Sequence, residues 1–194
     1  MIKVIQETNG TMTLDDLKNY KVLTRDVANI SYRGAELHGI GSPAGGAVCL
    51  SILKIMEQYS MEDWTTDHNL TMHRFDEAMR FAYSARLGLG DPDFVEHMPS
   101  LETRMMSDEM AKEIRSRIQD NQTQPIEAYN PNLTYLSDSH GTSHIATADG
   151  SGMATSLTTT INLLFGAQII DPVSGVIMYV HIPLPLVLLS PCPS

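Results

Sequence analysis

The segment Ser139-His140-Gly141-Thr142-Ser143-His144, followed eighteen residues after Thr142 by Thr160-Ile161-Asn162, is where this 194-residue chain could make or break a bond. A threonine hydroxyl is a poor nucleophile until something takes its proton. Cutting the chain just before the threonine supplies the base, because the freed α-amine belongs to the same residue. In the intact chain the Thr142 hydroxyl would attack the Gly141 carbonyl, and the acyl group would shift from nitrogen to oxygen. Hydrolysis of that ester exposes Thr142 as a new N-terminus. An α-amine with a reference pKa of about 7.7–8.0 can act as a base near neutral pH. Thr142 beside its own amine is then suited to acyl transfer.

The local pattern predicts elements that would position these groups. Residues 142–148 read as a strand, Asp149-Gly150-Ser151-Gly152 as a turn, and residues 153–160 as a second, Thr-rich strand. Such a hairpin returns Thr160 and Asn162 toward Thr142, where they could hydrogen-bond to the nucleophile or to substrate. Ser/Thr-rich strands are also common as plain structure, and on these residues alone both readings stand. A loop over 162–172 and a short strand over 175–179 follow.

Upstream, Thr13-Leu14-Asp15-Asp16 reads as a capping box opening a helix toward Tyr20. Residues 22–31 and 35–40 read as strands around the Arg33-Gly34 turn. Ser42-Pro43 is expected to start a helix, with Pro at its first position and Gly45-Gly46 permitting close backbone packing. A longer helix is expected over 67–87, ending at Gly88. Gly90-Asp91-Pro92-Asp93-Phe94 reads as a turn followed by irregular chain, and Ser107 caps a helix running to about Gln119. Residues 121–139 have the polar, Pro/Asn-rich composition of a linker. The proline-broken apolar stretch 180–194 reads as an edge strand or a sticky tail, too short to span a bilayer.

Composition sets the limits. An apolar fraction of 42% with 19% charged residues is globular, and a net charge of −10 argues against nucleic acid as a partner. Cys49 lies in an apolar run and is expected to be a buried, inert thiol; Cys192 is too distant in sequence to imply a disulfide framework. Asn9, Asn29, Asn69, Asn121 and Asn132 each begin an Asn-x-Ser/Thr sequon, the mark of a glycoprotein or of chance in a Ser/Thr-rich chain. The start of the chain is not a signal peptide. His140 and His144 are four apart, but Gly141 and the strand pattern argue against one helical face presenting both to zinc. His68, His73 and Asp76 share no helical face well, and Gly45-Gly46 lacks the Lys-Ser/Thr of a phosphate loop. Met105 and Met106 are expected in the core rather than in a ligand groove.

Several ordered blocks carry a resemblance: Met12-Thr13-Leu14-Asp15-Asp16-Leu17, Tyr32-Arg33-Gly34, Ser42-Pro43-Ala44-Gly45-Gly46, Gly90-Asp91-Pro92-Asp93-Phe94, residues 141–144, and residues 157–165 with Gly166. Between about residues 10 and 178 the chain resembles the γ-glutamyltranspeptidases (glutathione hydrolases), a self-cleaving N-terminal-nucleophile family. The resemblance implies an α+β fold, part of an αββα sandwich, whose precursor cuts itself into a large and a small subunit. It makes residues 1–141 the C-terminal part of the large subunit, 142–179 the start of the small subunit, and 180–194 an atypical tail. It makes Gly141–Thr142 the processing bond, Thr142 the nucleophile, Thr160 its support, and Asn162 a residue holding the γ-glutamyl group. No cofactor and no metal are implied.

The partners implied are glutathione and other γ-glutamyl compounds, with water or an amino acid or dipeptide as acceptor, and the two subunits paired after cleavage. The implied localisation is the secretory pathway: extracellular, vacuolar or membrane-anchored in a full-length member. Three departures qualify this. Family members carry an earlier arginine that clamps the substrate carboxylate. They follow the strand at 175–178 with an Asn-Asn-x-Met-x-Asp-Phe-like segment, where this chain reads Tyr179-Val180-His181-Ile182-Pro183. They also carry later Ser-Ser and Gly-Gly elements, and losing one oxyanion donor costs about 10²–10³ in kcat. The chain is therefore expected to be the middle of a family member with turnover near background. The alternative is a catalytically dead remnant serving only as a binding or dimerising domain.

Overall fold

A computed structural model describes residues 1–132, 134–135, 142–179 and 187–188. They fall into two compact units, Met1–Leu23 with Leu136–Pro185, and Thr24–Tyr135 with Leu186–Ser194.

The second unit holds the helical core. It opens with a hairpin of β1 (Val27–Tyr32) and β2 (Ala35–Ile40), paired antiparallel through the Arg33-Gly34 turn, both of whose residues have positive φ. The first strand starts later than its apolar composition predicted. The helix α3 (Gly46–Met56) also starts later than expected. Ser42 and Pro43, joined by a cis peptide bond, precede a turn in which Ala44 N–H donates to the Gly41 carbonyl. Gly46 then lies so close to β2 that a Cβ there would meet the Ile40 carbonyl oxygen at 2.3 Å. Helix α3 buries Val48, Ile52, Ile55 and Met56. Cys49 is exposed, contrary to expectation, because the 3.6-residue period turns position 49 outward between buried Val48 and Leu50.

Helices α4 (Met61–Thr66) and α5 (His68–Arg86) follow, capped by the side chains of Ser60 and Asp67. The predicted irregular stretch after Phe94 contains α6 (Met98–Met105), with Pro99 in its first turn. Ser107 caps α7 (Asp108–Arg117) as predicted. The expected linker instead contains α8 (Ile126–Tyr129) and the short strand β3 (Thr134–Tyr135). Val48, Ile52, Ile55, Met56, Phe81, Ile114 and Tyr129 belong to one buried cluster, where the Phe81 and Tyr129 rings meet edge-on at 4.9 Å. Met105 joins that cluster, and Met106 is half-buried.

Charged groups close this core. Tyr129 donates its hydroxyl hydrogen to the fully buried Glu77 carboxylate, whose oxygens both lie at 2.7 Å. Burial, then this bond, push the Tyr129 hydroxyl above its ordinary pKa. Arg74, buried on α5, is gripped by Asp120 through two hydrogen bonds of 2.9 and 2.7 Å and by Asp63 at 2.8 Å. Its guanidinium also lies 4.4 Å from the Tyr59 ring centroid.

In the first unit, α1 (Ile2–Glu7) and α2 (Leu14–Asn19) accompany a hairpin of β4 (Thr142–Ala148) and β5 (Ala154–Thr160). The capping box of α2 forms as predicted: Thr13 accepts from Asp16 N–H, and Asp16 accepts from Thr13 N–H. The Thr13 bonds hold the Asp16 carboxyl below its usual range. The strand expected over 175–179 reduces to one isolated bridge, Ile170 to Ile177. Inward of the bridge, Asp171 gathers the intervening residues into a turn in which its carboxylate accepts from Ser174 Oγ and N–H. Of the expected tail, only the short strand β6 (Val187–Leu188), paired with β3, lies within the described residues. The content is α+β, in helices and three two-stranded sheets among the described residues. None of these helices is long and apolar enough to cross a membrane.

Candidate active site

The register of β4 and β5 puts Thr142 directly opposite Thr160, His144 opposite Thr158, and Ile145 opposite Leu157. Side chains alternate faces along a strand. One face therefore carries Thr142, His144 and Ala146 against Thr160, Thr158 and Ser156. The other carries Ser143, Ile145 and Thr147 against Thr159, Leu157 and Thr155. Directly opposed Cβ atoms lie about 4.5–5.5 Å apart, which makes Thr142 and Thr160 neighbours.

Asp149 closes the hairpin. Its Oδ1 accepts from Ser151 N–H at 2.8 Å, Ser151 Oγ at 2.7 Å and Met153 N–H at 3.1 Å. These bonds, the Ser151 hydroxyl foremost, hold its carboxyl below the usual range. Gly152 takes φ of +90°, a conformation that costs glycine little.

Beyond β5 the chain bends at Asn162, whose φ of +78° lies in the left-handed region that asparagine tolerates better than most residues. The bend aims the Asn162 N–H at Thr160 Oγ1, at 2.8 Å. Thr160 therefore has its hydroxyl oriented by the backbone of Asn162, a role for that residue beyond the side-chain one expected from the sequence. A few residues on, Gly166 with φ of +54° sits where a Cβ would stand 2.2 Å from the Met178 carbonyl oxygen. Asp171 is held at about 2 by the Ser174 hydroxyl, the Met1 ammonium and Ser174 N–H.

The sequence-predicted residues Thr142, Thr160 and Asn162 thus meet at one end of one hairpin. Gly141, Ser139 and His140 lie outside the described residues, so the expected processing bond has no described geometry. His144, weighed in the sequence only as a zinc ligand, instead faces the hydroxyls of β5. Its Nδ1 lies 2.8 Å from Thr158 Oγ1 and its Nε2 3.3 Å from Ser156 Oγ. The available signal was its i+2 spacing from Thr142, which puts both on one strand face. All fourteen residues of β4 and β5 are exposed. Among the described residues, no three His, Cys, Asp or Glu side chains gather as metal ligands would.

The fold has solved counterparts. It matches the crystal structure of Helicobacter pylori gamma-glutamyltranspeptidase with a TM-score of 0.61 and 29% identity, over 68% of this chain and 37% of that one. The class defined is the N-terminal-nucleophile hydrolases. The family model for gamma-glutamyltranspeptidase matches residues 1–181, and the chain belongs to that family. A glutathione hydrolase proenzyme of Arthroderma benhamiae is 47% identical over 178 residues, and a glutathione hydrolase of Aspergillus flavus is 43% identical over the same length. Each alignment takes in 92% of this chain, which spans about 30% of the length of either relative.

Proposed function

We propose that this chain carries the nucleophile-bearing hairpin of a glutathione hydrolase/γ-glutamyltransferase, with its helices and hairpin forming part of an αββα sandwich. Residues 1–141 supply the C-terminal part of the large subunit and 142–179 the start of the small one. Thr142 is freed by scission of Gly141–Thr142. Its Oγ attacks the γ-carbonyl of glutathione or another γ-glutamyl compound, while its amine takes the hydroxyl proton and passes it to the leaving amine. The γ-glutamyl ester on Thr142 is then resolved by water, releasing glutamate, or by the amine of an amino acid or dipeptide. Thr160 supports the nucleophile and Asn162 the γ-glutamyl group.

The observation that carries this reading is Thr142 paired with Thr160 at the end where Asn162 turns the chain. Exposed asparagines at all five sequons support maturation in the secretory pathway. The test is to purify the chain and sequence the N-termini of its fragments. A new terminus at Thr142, absent from Thr142→Ala, is expected; a wild-type chain that never cuts refutes self-processing here. A second reading, a catalytically dead remnant, is favoured by the exposure of every residue of β4 and β5. A wild-type chain that never cuts would support it.

A further inference from the structure

The hairpin poses a problem of register. Strand β5 reads Ala154-Thr155-Ser156-Leu157-Thr158-Thr159-Thr160, so a slip of two residues would still set a threonine, Thr158, opposite Thr142. Slips of two keep every side chain on its own face, so facing alone does not forbid them. A Thr-rich pair with no buried face specifies register weakly. Yet only one register brings Thr142 to the threonine that Asn162 N–H orients.

We propose that His144 is a positioning residue that, together with the Asp149 turn, holds this register, and with it which hydroxyl faces the nucleophile; the inference rests on the reading of Thr142 as nucleophile. The imidazole has one donor and one acceptor nitrogen when neutral. It spans two hydroxyls of β5, Thr158 directly opposite and Ser156 on the diagonal. Slide β5 so that Thr158 faces Thr142, and His144 comes opposite Ser156 with Ala154 on the same diagonal. The second hydroxyl is then replaced by a methyl group, and one hydrogen bond is lost. On the other face the same slip parts Ile145 from Leu157 and sets it against Thr155. His144 does not act on Thr142 directly: two residues of strand separate their Cα atoms by about 7 Å. It acts through the ladder, by holding Thr158 and Ser156 in place so that Thr160 alone reaches Thr142.

Cross-strand NOEs in the full chain, isotope-labelled, read register without relying on turnover. Wild type is expected to give contacts from Thr142 to Thr160 and from Ile145 to Leu157. His144→Ala is expected to add a second set, Thr142 to Thr158, or to lose the first. His144→Gln, which can also donate and accept, is expected to restore the wild-type set. Ser156→Ala isolates the diagonal bond and is expected to give the mixed pattern with the histidine still present. Wild-type NOEs in both His144→Ala and Ser156→Ala would overturn the proposal. So would His144→Gln behaving like alanine. N-terminal sequencing of the same samples separates the two claims: no scission in any sample with NOEs as expected sinks the nucleophile reading and leaves the register assignment standing.

Discussion

Arg74 gives a prediction in which two substitutions that break the same ion pairs differ in cost. The Arg74 side chain is 8% exposed, whereas those of Asp63 and Asp120 are 40% and 42% exposed. Replacing both aspartates by alanine strands a guanidinium in the core, which costs about 3–5 kcal/mol, the range for an uncompensated buried charge. Replacing Arg74 by methionine keeps the stem packed on Tyr59 and releases two carboxylates that water can reach. Half-exposed pairs are worth about 0–1 kcal/mol each, so Arg74→Met should cost at most about 2 kcal/mol. Urea unfolding at neutral pH, followed by far-UV circular dichroism, measures both. The pH dependence adds a second check. The Arg74 hydrogen bond holds the Asp120 carboxyl below its ordinary range. That stabilisation is fully present above the unfolded carboxylate pKa and is lost as pH falls through the lower folded value. The gap between wild type and Arg74→Met should accordingly narrow from about pH 5 toward pH 3. Arg74→Met proving costlier than the double alanine variant, or a gap indifferent to acid, would refute the reasoning.

Other outcomes are expected from neighbouring features. Tyr129→Phe leaves the buried Glu77 carboxylate without its hydroxyl donor and should cost about 2–3 kcal/mol in the same urea assay. Gly166→Ala combines a positive φ with a Cβ 2.2 Å from the Met178 carbonyl; it should shift the backbone resonances of residues 161–178, and unchanged spectra would contradict the close approach. Thr160→Val should slow scission before Thr142 about tenfold or more, the scale of one lost hydrogen bond in a reacting site, as read by the rate at which the new N-terminus accumulates. Carbon-detected titration of Asp149 should give a midpoint below the ordinary aspartate range, and Ser151→Ala should move it back up.

Local rules announced some elements and hid others. The capping box at Thr13 and the cap at Ser107 were readable because each is a short-range bond between residues three apart. Helix α6 was hidden because Pro99 resembles a breaker and His97, with φ of +69°, makes an atypical entry. The start of α3 was misplaced because Pro43 fits a first helical turn, whereas the chain needs Gly41 to Gly45 to bend before Gly46 can press on β2. For Cys49, composition outweighed period: an apolar neighbourhood suggested burial, but the helix turns that one position outward. At the site, residue types and the hairpin were legible, and the register was not. Four threonines in β5 make several pairings look alike, and only the bonds of His144, the Ile145–Leu157 pair and the Asp149 turn tell them apart.

The bareness of β4 and β5 has a consequence for handling the protein. Leu157, Leu164 and Phe165 are all more than half exposed, in the segment that bears Thr142 and Thr160, whereas Phe81 and Tyr129 are shut against each other among the helices. A chymotrypsin-like protease would therefore reach the segment that carries the chemistry, as it would Phe94 between α5 and α6, which is 87% exposed. Helical circular dichroism reports the buried cluster of helices and says nothing of whether Thr142 is still attached. Intact mass, rather than folded signal, is the proper criterion for a sample fit to assay.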